Sequence, residues 1–235
     1  MPQLHKLKAV ESDVVFFLDC DNTLLDNDAV QDDLRDRLAQ DVGPAHASRY
    51  WVIFEELRAE LGYADYLGTL QRLRRPDVSD AGLLRLSDFL LEYPFASRLY
   101  PGALDVLQHL RAWGLTVILS DGDVVFQPRK LQRSGIRDAV EGRVLIYVHK
   151  EQMLADVARQ YPARQYVMVD DKLRILAAMK RSWQHSLTTI FPRQGHYATD
   201  PRQIDGVPAA DVTVDRIGDL LQFQLPELTG DRGAG

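Results

Sequence analysis

A parallel β-sheet with helices packed on both faces, interrupted near its start by a small all-helical insert, is the architecture predicted by this 235-residue sequence. Three observations carry that α/β reading. Short runs rich in β-branched and aromatic residues recur along the chain and read as strands buried on both faces. From residue 96 onward, segments of helical periodicity separate these runs, and such alternation belongs to parallel sheets joined by right-handed crossovers. Between residues 26 and 95 the alternation stops, and apolar residues recur only at helical spacing.

The first strand spans 14–18, a Val-Val-Phe-Phe-Leu run that ends in an acidic cluster. The insert follows at once. Val30, Leu34, Leu38 and Val42 form one stripe, Trp51, Phe54, Leu57 and Leu61 a second, and Leu83, Leu86 and Leu90 a third. These stripes place a helical domain at 26–95 within a discontinuous core domain made of 1–25 and 96–235. Alternation resumes at Pro101 and Gly102. A helix over 103–113, closed by Gly114, leads to a strand at 115–119; a helix over 124–134, closed by Gly135, leads to one at 144–148. A helix over 150–161, closed by Pro162, precedes a strand at 166–169, and a helix over 172–183 precedes one at 187–191. A weaker run at 212–214 suggests a sixth strand. Residues 226–235 read as a frayed tail.

Composition narrows the possible functions. A chain of this length can bury roughly 70–75% of its unfolded surface, enough for one large core with a satellite domain. Cys20 is the only cysteine, which excludes an internal disulfide framework and a zinc-binding cysteine cluster and fits a reducing compartment, by default the cytoplasm. Residues 1–13 hold no apolar core of signal-peptide length, and no uninterrupted apolar run is long enough to suggest a membrane span. A net charge of −6 without a basic run is a poor basis for gripping a nucleic-acid backbone. The six histidines form no HExxH pair, so zinc is not supported. The sequence leaves the oligomeric state open.

Ligands of open parallel sheets bind beyond the carboxyl ends of the strands. There this sequence sets Asp19-Cys20-Asp21-Asn22-Thr23, then Ser120-Asp121-Gly122, His149-Lys150 and Asp170-Asp171. Carboxylates, hydroxyls and one lysine thus converge on one edge. Two carboxylates about 4 Å apart repel by on the order of 4 kcal/mol at an effective dielectric near 20, and a single lysine cannot offset several such pairs. A hard divalent cation can: Mg²⁺ takes carboxylates, waters and substrate phosphate oxygens. The pattern therefore predicts metal-dependent phosphoryl transfer.

The segment Phe16-Phe17-Leu18-Asp19-Cys20-Asp21-Asn22-Thr23-Leu24-Leu25 resembles motif I of the haloacid dehalogenase (HAD) superfamily, an apolar run followed by DxDxT. Ser120, Lys150 and the Asp170–Asp171 pair resemble its motifs II, III and IV, in family order and across nearly the whole chain. The long step from Thr23 to Ser120 takes in the helical insert, and each later step leaves room for one helix-bearing unit. The resemblance implies a Rossmann-like parallel sheet with the insert as a C1-type helical cap, similar to phosphoglycolate phosphatase and β-phosphoglucomutase. It implies Asp19 as the nucleophile that forms an aspartyl-phosphate, and Asp21 as general acid and then general base. Thr23, Ser120 and backbone amides around Cys20 and Asp21 would donate to the phosphoryl group, while Lys150 would pair with Asp19 and the phosphate. Mg²⁺ would be held by the Asp19 carboxylate, the Asp21 carbonyl and Asp171, with Asp170 a ligand through water. The implied reaction is hydrolysis of a small phosphorylated metabolite. A sugar phosphomutase and a catalytically idle binding protein are the alternatives.

Two positions depart from the family pattern. Asp121 stands where Asn is common; it is grouped with the phosphate-binding residues, and as an extra acid it could alter the metal shell or cap the following helix. Ile175 stands where a further acid often follows motif IV. Other chemistries fit less well. Cysteine-based phosphatases carry C-x₅-R, whereas the sixth residue after Cys20 is Asp26, and Cys20 reads as a small, partly buried side chain between two acids. Haloalkanoate dehalogenases lack the second acid of DxD, which Asp21 supplies. Among the lysines, Lys150 is preferred because it sits just beyond a strand, whereas Lys130 lies inside a helical pattern and Lys172 near a helix start. His149 reads as a packing residue. Arg49, Tyr50, Trp51, Tyr63 and Tyr66 of the insert could line a pocket, although such aromatics more often form core, and Arg193 and His196 could face the site.

Overall fold

The structure is a computed structural model that describes residues 12–229. Its sheet is built outward from β1 (Ser12–Leu18), flanked by β2 (Leu115–Asp121) and β4 (Ala163–Val169). Beyond β2 lies β3 (Val144–Tyr147); beyond β4 lie β5 (Leu187–Pro192) and β6 (Val212–Val214). All five pairings are parallel. Leu18 is level with Ile118 on one side and Val169 on the other. That register brings the residues that follow β1 and β4 to the same edge as the end of β2, which is what makes a site there.

The strands read as unbroken apolar runs because both faces are covered. Phe16 and Leu18 point into a core shared with Val106, Leu107 and Leu110 of α5 (Ala103–Arg111), and with Leu131 of α6 (Phe126–Arg133) and Ile136 of α7 (Ile136–Ala139). Val15 and Phe17 point the other way, onto Leu154 and Val157 of α8 (Leu154–Gln160) and onto Leu176 and Met179 of α9 (Leu173–Trp183). Two short helices, α10 (Gly195–Thr199) and α11 (Pro201–Ile204), link β5 to β6.

The insert comprises four further helices between β1 and α5, labelled here α-I1 (Asn27–Val42), α-I2 (Pro44–Leu61), α-I3 (Tyr66–Leu73) and α-I4 (Asp80–Glu92). Side-chain oxygens start three of them: Asp26 accepts from Ala29 N at 2.9 Å, Asp65 from Gly68 N at 2.7 Å and Ser79 from Gly82 N at 3.2 Å. Gly62 ends α-I2 in the left-handed region, φ 83°, where a Cβ would also sit 2.9 Å from His149 Nε2. The stripes of Val30, Leu34 and Leu38, of Phe54 and Leu57, and of Leu86 and Leu90 are buried as expected. On α-I2 the inward face is centred on Tyr50, Ile53 and Phe54; Trp51 lies at its margin beneath the Arg35 guanidinium, 4.6 Å from the ring centre. Leu24, Leu25, Phe95 and Phe126 join the insert's core to one face of the sheet.

Three expectations change. The helix expected over 150–161 is a 3-10 turn, Lys150–Gln152, followed by α8, and the helix expected from 124 begins at Phe126. Asp123 Oδ1 accepts from Val125 N at 2.8 Å and Phe126 N at 2.6 Å, so the capping carboxylate stands just upstream. The expected tail from 226 instead contains α12 (Leu225–Thr229), whose Leu228 is fully buried. A single buried leucine sets no sequence period, so this docking left no signal. Residues 230–235 of that tail, and residues 1–11 of the N-terminal segment, lie outside the described residues.

Candidate active site

The chain leaves β1 through a tight turn. Asp19 N donates to Val169 O at 2.9 Å, extending the ladder by one residue, and Cys20 O then accepts from Leu24 N at 2.9 Å and Leu25 N at 3.0 Å. Asn22 takes the left-handed conformation, φ 58°, which asparagine tolerates better than most residues. Its Oδ1 accepts from Asn27 N at 3.0 Å and Asp28 N at 3.2 Å, so the same turn fixes the start of α-I1. Gly195 closes against it, at φ 73°, where a Cβ would lie 2.5 Å from Asn22 Cβ. Cys20 is fully buried rather than partly, and burial pushes its thiol well up, leaving it a packing group between two acids.

Asp19, Asp170 and Asp171 meet beyond the strand ends, all three buried, with one carboxylate oxygen of each within 4.8 Å of the others. Lys150, also fully buried, places its Nζ 2.6 Å from Asp19 Oδ1, 2.7 Å from Asp170 Oδ2 and 3.2 Å from Leu119 O. Asp170 Oδ1 accepts from Lys172 N at 2.8 Å. Asp171 is held through its backbone, whose N–H donates to Thr23 Oγ1 at 3.1 Å. Asp19 Oδ2 and both oxygens of Asp171 have no hydrogen-bond partner. Burial acts to raise all three carboxyls. At Asp19 the charges of Lys150 and Lys172 overcome it and hold the group low; at Asp171, burial dominates and the carboxyl is pushed well up. Buried carboxylate oxygens without donors fit a hard divalent cation bound through oxygen.

Ser120 Oγ is buried and accepts from Gln127 Nε2 at 3.1 Å. Asp121 Oδ1 accepts from Lys150 N at 2.9 Å. The extra acid of motif II thus braces the turn that carries Lys150, and Asp123 does the helix capping considered for it.

Beside this edge, bounded by the insert, lies a polar cavity of about 670 Å³. Asp21, Asp121, His149, Tyr63, Tyr66 and His196 all line it. Tyr50 is buried in the insert's core instead, and Arg193 turns outward to Asp215 at 3.1 Å. Arg49 and Trp51 do not line the cavity.

Lys130 is a correction. Its place inside a helical pattern argued against a role, yet it is 1% exposed and its Nζ lies 2.7 Å and 2.9 Å from the two oxygens of Asp21. Lys172 also lines the cavity, 5.0 Å from the centre of the Tyr197 ring. Three lysines, not one, therefore serve the acidic edge. The missed signal was available on α6: Lys130 and Gln127 share the helix's buried face with Phe126 and Leu131, where a charged residue demands a partner.

The haloacid dehalogenase-like hydrolase family model matches residues 14–182. No curated protein matches the chain. A crystal structure described as that of a haloacid dehalogenase-like hydrolase from Burkholderia xenovorans LB400 is 64% identical, with a TM-score of 0.86 over 92% of this chain and 98% of that one. L-2-haloacid dehalogenase from Xanthobacter autotrophicus is similar in fold at 18% identity, with a TM-score of 0.58 over 89% of this chain and 97% of its own. The HAD-hydrolase YfnB from Bacillus subtilis, in a structure bound to magnesium, gives 16% identity and a TM-score of 0.57 over 88% and 96%. By its family match and this 64% identity, the chain belongs to the haloacid dehalogenase-like hydrolases.

Proposed function

We propose that this hydrolase is a Mg²⁺-dependent phosphatase acting on a small phosphorylated metabolite, working in a reducing compartment such as the cytoplasm. The observation that carries the reading is the buried trio of Asp19, Asp170 and Asp171, with unpartnered oxygens beside Lys150 and a polar cavity in front. Asp19 and Asp171 would hold the ion directly, with the Asp21 carbonyl, and Asp170, already paired to Lys150, through water. When bound, the ion supplies positive charge against which a phosphate dianion can approach the acids.

In the proposed reaction, an Asp19 oxygen forms a bond to phosphorus as the bond from phosphorus to the ester oxygen breaks. Asp21 gives its proton to the departing alkoxide. Water then attacks phosphorus, Asp21 takes the proton, and the aspartyl-phosphate bond breaks, releasing phosphate and restoring both acids. Thr23, Ser120, Lys150 and Lys172 would hold the phosphoryl oxygens. The helical insert would act as the cap, its enclosure of the cavity favouring a small substrate over a macromolecule.

Dehalogenation is the competing reading, favoured by the fold similarity to L-2-haloacid dehalogenase. A halide leaves without a proton, so that chemistry gives Asp21 no task and leaves the oxygens of Asp171 unexplained. Phosphate release from p-nitrophenyl phosphate and chloride release from L-2-chloropropionate, each with Mg²⁺ and with EDTA, decide between them. Phosphate release that EDTA abolishes and Asp19→Asn lowers at least about a thousandfold is expected. Chloride release without phosphate release, or phosphatase activity indifferent to EDTA, would overturn the proposal.

A further inference from the structure

Lys130 is buried where an ammonium is expensive: stripping its water costs several kcal/mol unless every proton finds an acceptor. Here each does. Asp21 Oδ1 lies at 2.7 Å, Asp21 Oδ2 at 2.9 Å and Asn27 Oδ1 at 3.0 Å, while the rings of Phe126 and Tyr66 flank the charge at 5.7 Å and 5.9 Å. The contacts continue past it. Asn27 Nδ2 donates to Tyr66 Oη at 3.3 Å, and Gln31 Nε2 donates to the same oxygen at 3.1 Å. A polar chain thus runs from Asp21 through Lys130 and Asn27 to Tyr66, crossing from the sheet's edge to α-I1 and α-I3.

Lys150 meets Asp19 and Asp170, which leaves Lys130 as the lysine paired with Asp21. What Lys130 alone does is grip both oxygens of Asp21. We infer that Lys130 is a positioning residue for Asp21, fixing the direction in which that carboxyl meets the leaving-group oxygen and tying it, through Asn27, to docking of the insert. The inference rests on the phosphatase reading above and assigns Lys130 no contact with substrate.

The test exploits leaving groups. Phenol departs poorly and needs a proton; p-nitrophenol departs readily and scarcely does. We compare kcat/KM, which spans the steps up to leaving-group departure, for phenyl phosphate and p-nitrophenyl phosphate with Mg²⁺. Lys130→Met should lower the phenyl phosphate value on the order of 10²-fold and the p-nitrophenyl phosphate value less than about tenfold, as loss of general-acid catalysis would. Asp21→Asn should show the same selectivity, and the double variant should be no slower than Asp21→Asn alone, since the two residues act as one unit. Asn27→Ala, which keeps the lysine but unties it from the insert, should shift the ratio in the same direction by a smaller factor; if Lys130→Met does not fold, this variant decides. Equal losses on both substrates, or a double variant slower by the full Lys130→Met factor, would overturn the inference and spare the phosphatase reading. No turnover of either substrate by the wild-type protein would overturn both.

Discussion

Asp171 has the least balanced surroundings of any side chain at the strand edge. Both its oxygens are buried without a donor, and Asp170 and Asp19 crowd it. Without a cation its charge opposes folding; with one, the same charge becomes a binding group. Asp171→Asn is therefore expected to make the metal-free protein more stable by about 1–3 kcal/mol, the range released when a buried unpaired polar group is relieved. The same change should abolish stabilisation by Mg²⁺, which for the wild type should approach about 2.7 kcal/mol at a hundred times Kd. Thermal unfolding of both proteins with MgCl₂ and with EDTA checks the pair of outcomes, and a variant that loses stability yet keeps the Mg²⁺ response would contradict this account. At this scale the sequence was legible where a candidate side chain stands at or just beyond the end of a strand, as Asp19, Ser120, Lys150, Asp170 and Asp171 do. For Lys130 it showed only a charged residue on the apolar face of α6 in need of a partner; that the partner is Asp21 depends on how α6 is rotated against the turn after β1, and the partner of Asp121 is a backbone N–H distant in sequence.

At the scale of elements, the strands were readable because a sheet covered on both faces needs unbroken apolar runs, and the insert because its stripes keep helical spacing. Some relations between elements were not readable, because they are set by single polar contacts between residues distant in sequence. Asp41, near the end of α-I1, shows this: its oxygens meet Arg37 on the same helix and Arg85 of α-I4, the latter at 2.6 Å. Burial works to raise its carboxyl, but the hydrogen bonds from Arg85 and Arg37 prevail and hold it below the ordinary range. A carboxyl depressed on folding stabilises fully above its unfolded value, about 3.9, and ceases to do so as pH falls through the folded value. Asp41→Asn should thus cost about 1 kcal/mol near neutrality, because both arginines are partly exposed and their pairing is partly screened. The difference should vanish under strongly acidic conditions. Urea unfolding of the two proteins across that pH range measures it, and a gap independent of pH would assign the effect to packing instead.

Taken whole, the molecule encloses its cavity by two kinds of contact. Near the chain crossings the insert and sheet share an apolar core through Leu24, Leu25, Phe95 and Phe126. Across the cavity mouth the contacts are polar: His196 Nδ1 lies 2.6 Å from Asp28 Oδ1, and the Arg58 guanidinium of α-I2 donates to the Tyr197 hydroxyl of α10. An apolar side and a polar side of this kind are expected to act as a hinge and a latch. Tyr197→Phe isolates the latch, because the ring remains to pack beneath Lys172 and only the acceptor for Arg58 is removed. Losing one such hydrogen bond is worth about 0.5–1.5 kcal/mol, which amounts to roughly a two- to tenfold shift toward the open form. Since Arg58 and Tyr197 make no hydrogen bond or ion pair with Asp19, Asp21, Asp170 or Asp171, the shift should appear as a higher KM for p-nitrophenyl phosphate with kcat within about twofold of wild type. The melting temperature should hardly move, because the apolar side of the hinge is untouched. An unchanged KM would mean that the Arg58–Tyr197 contact does not govern closure, and a fall in kcat at constant KM would place Tyr197 among the residues that act on the reaction itself.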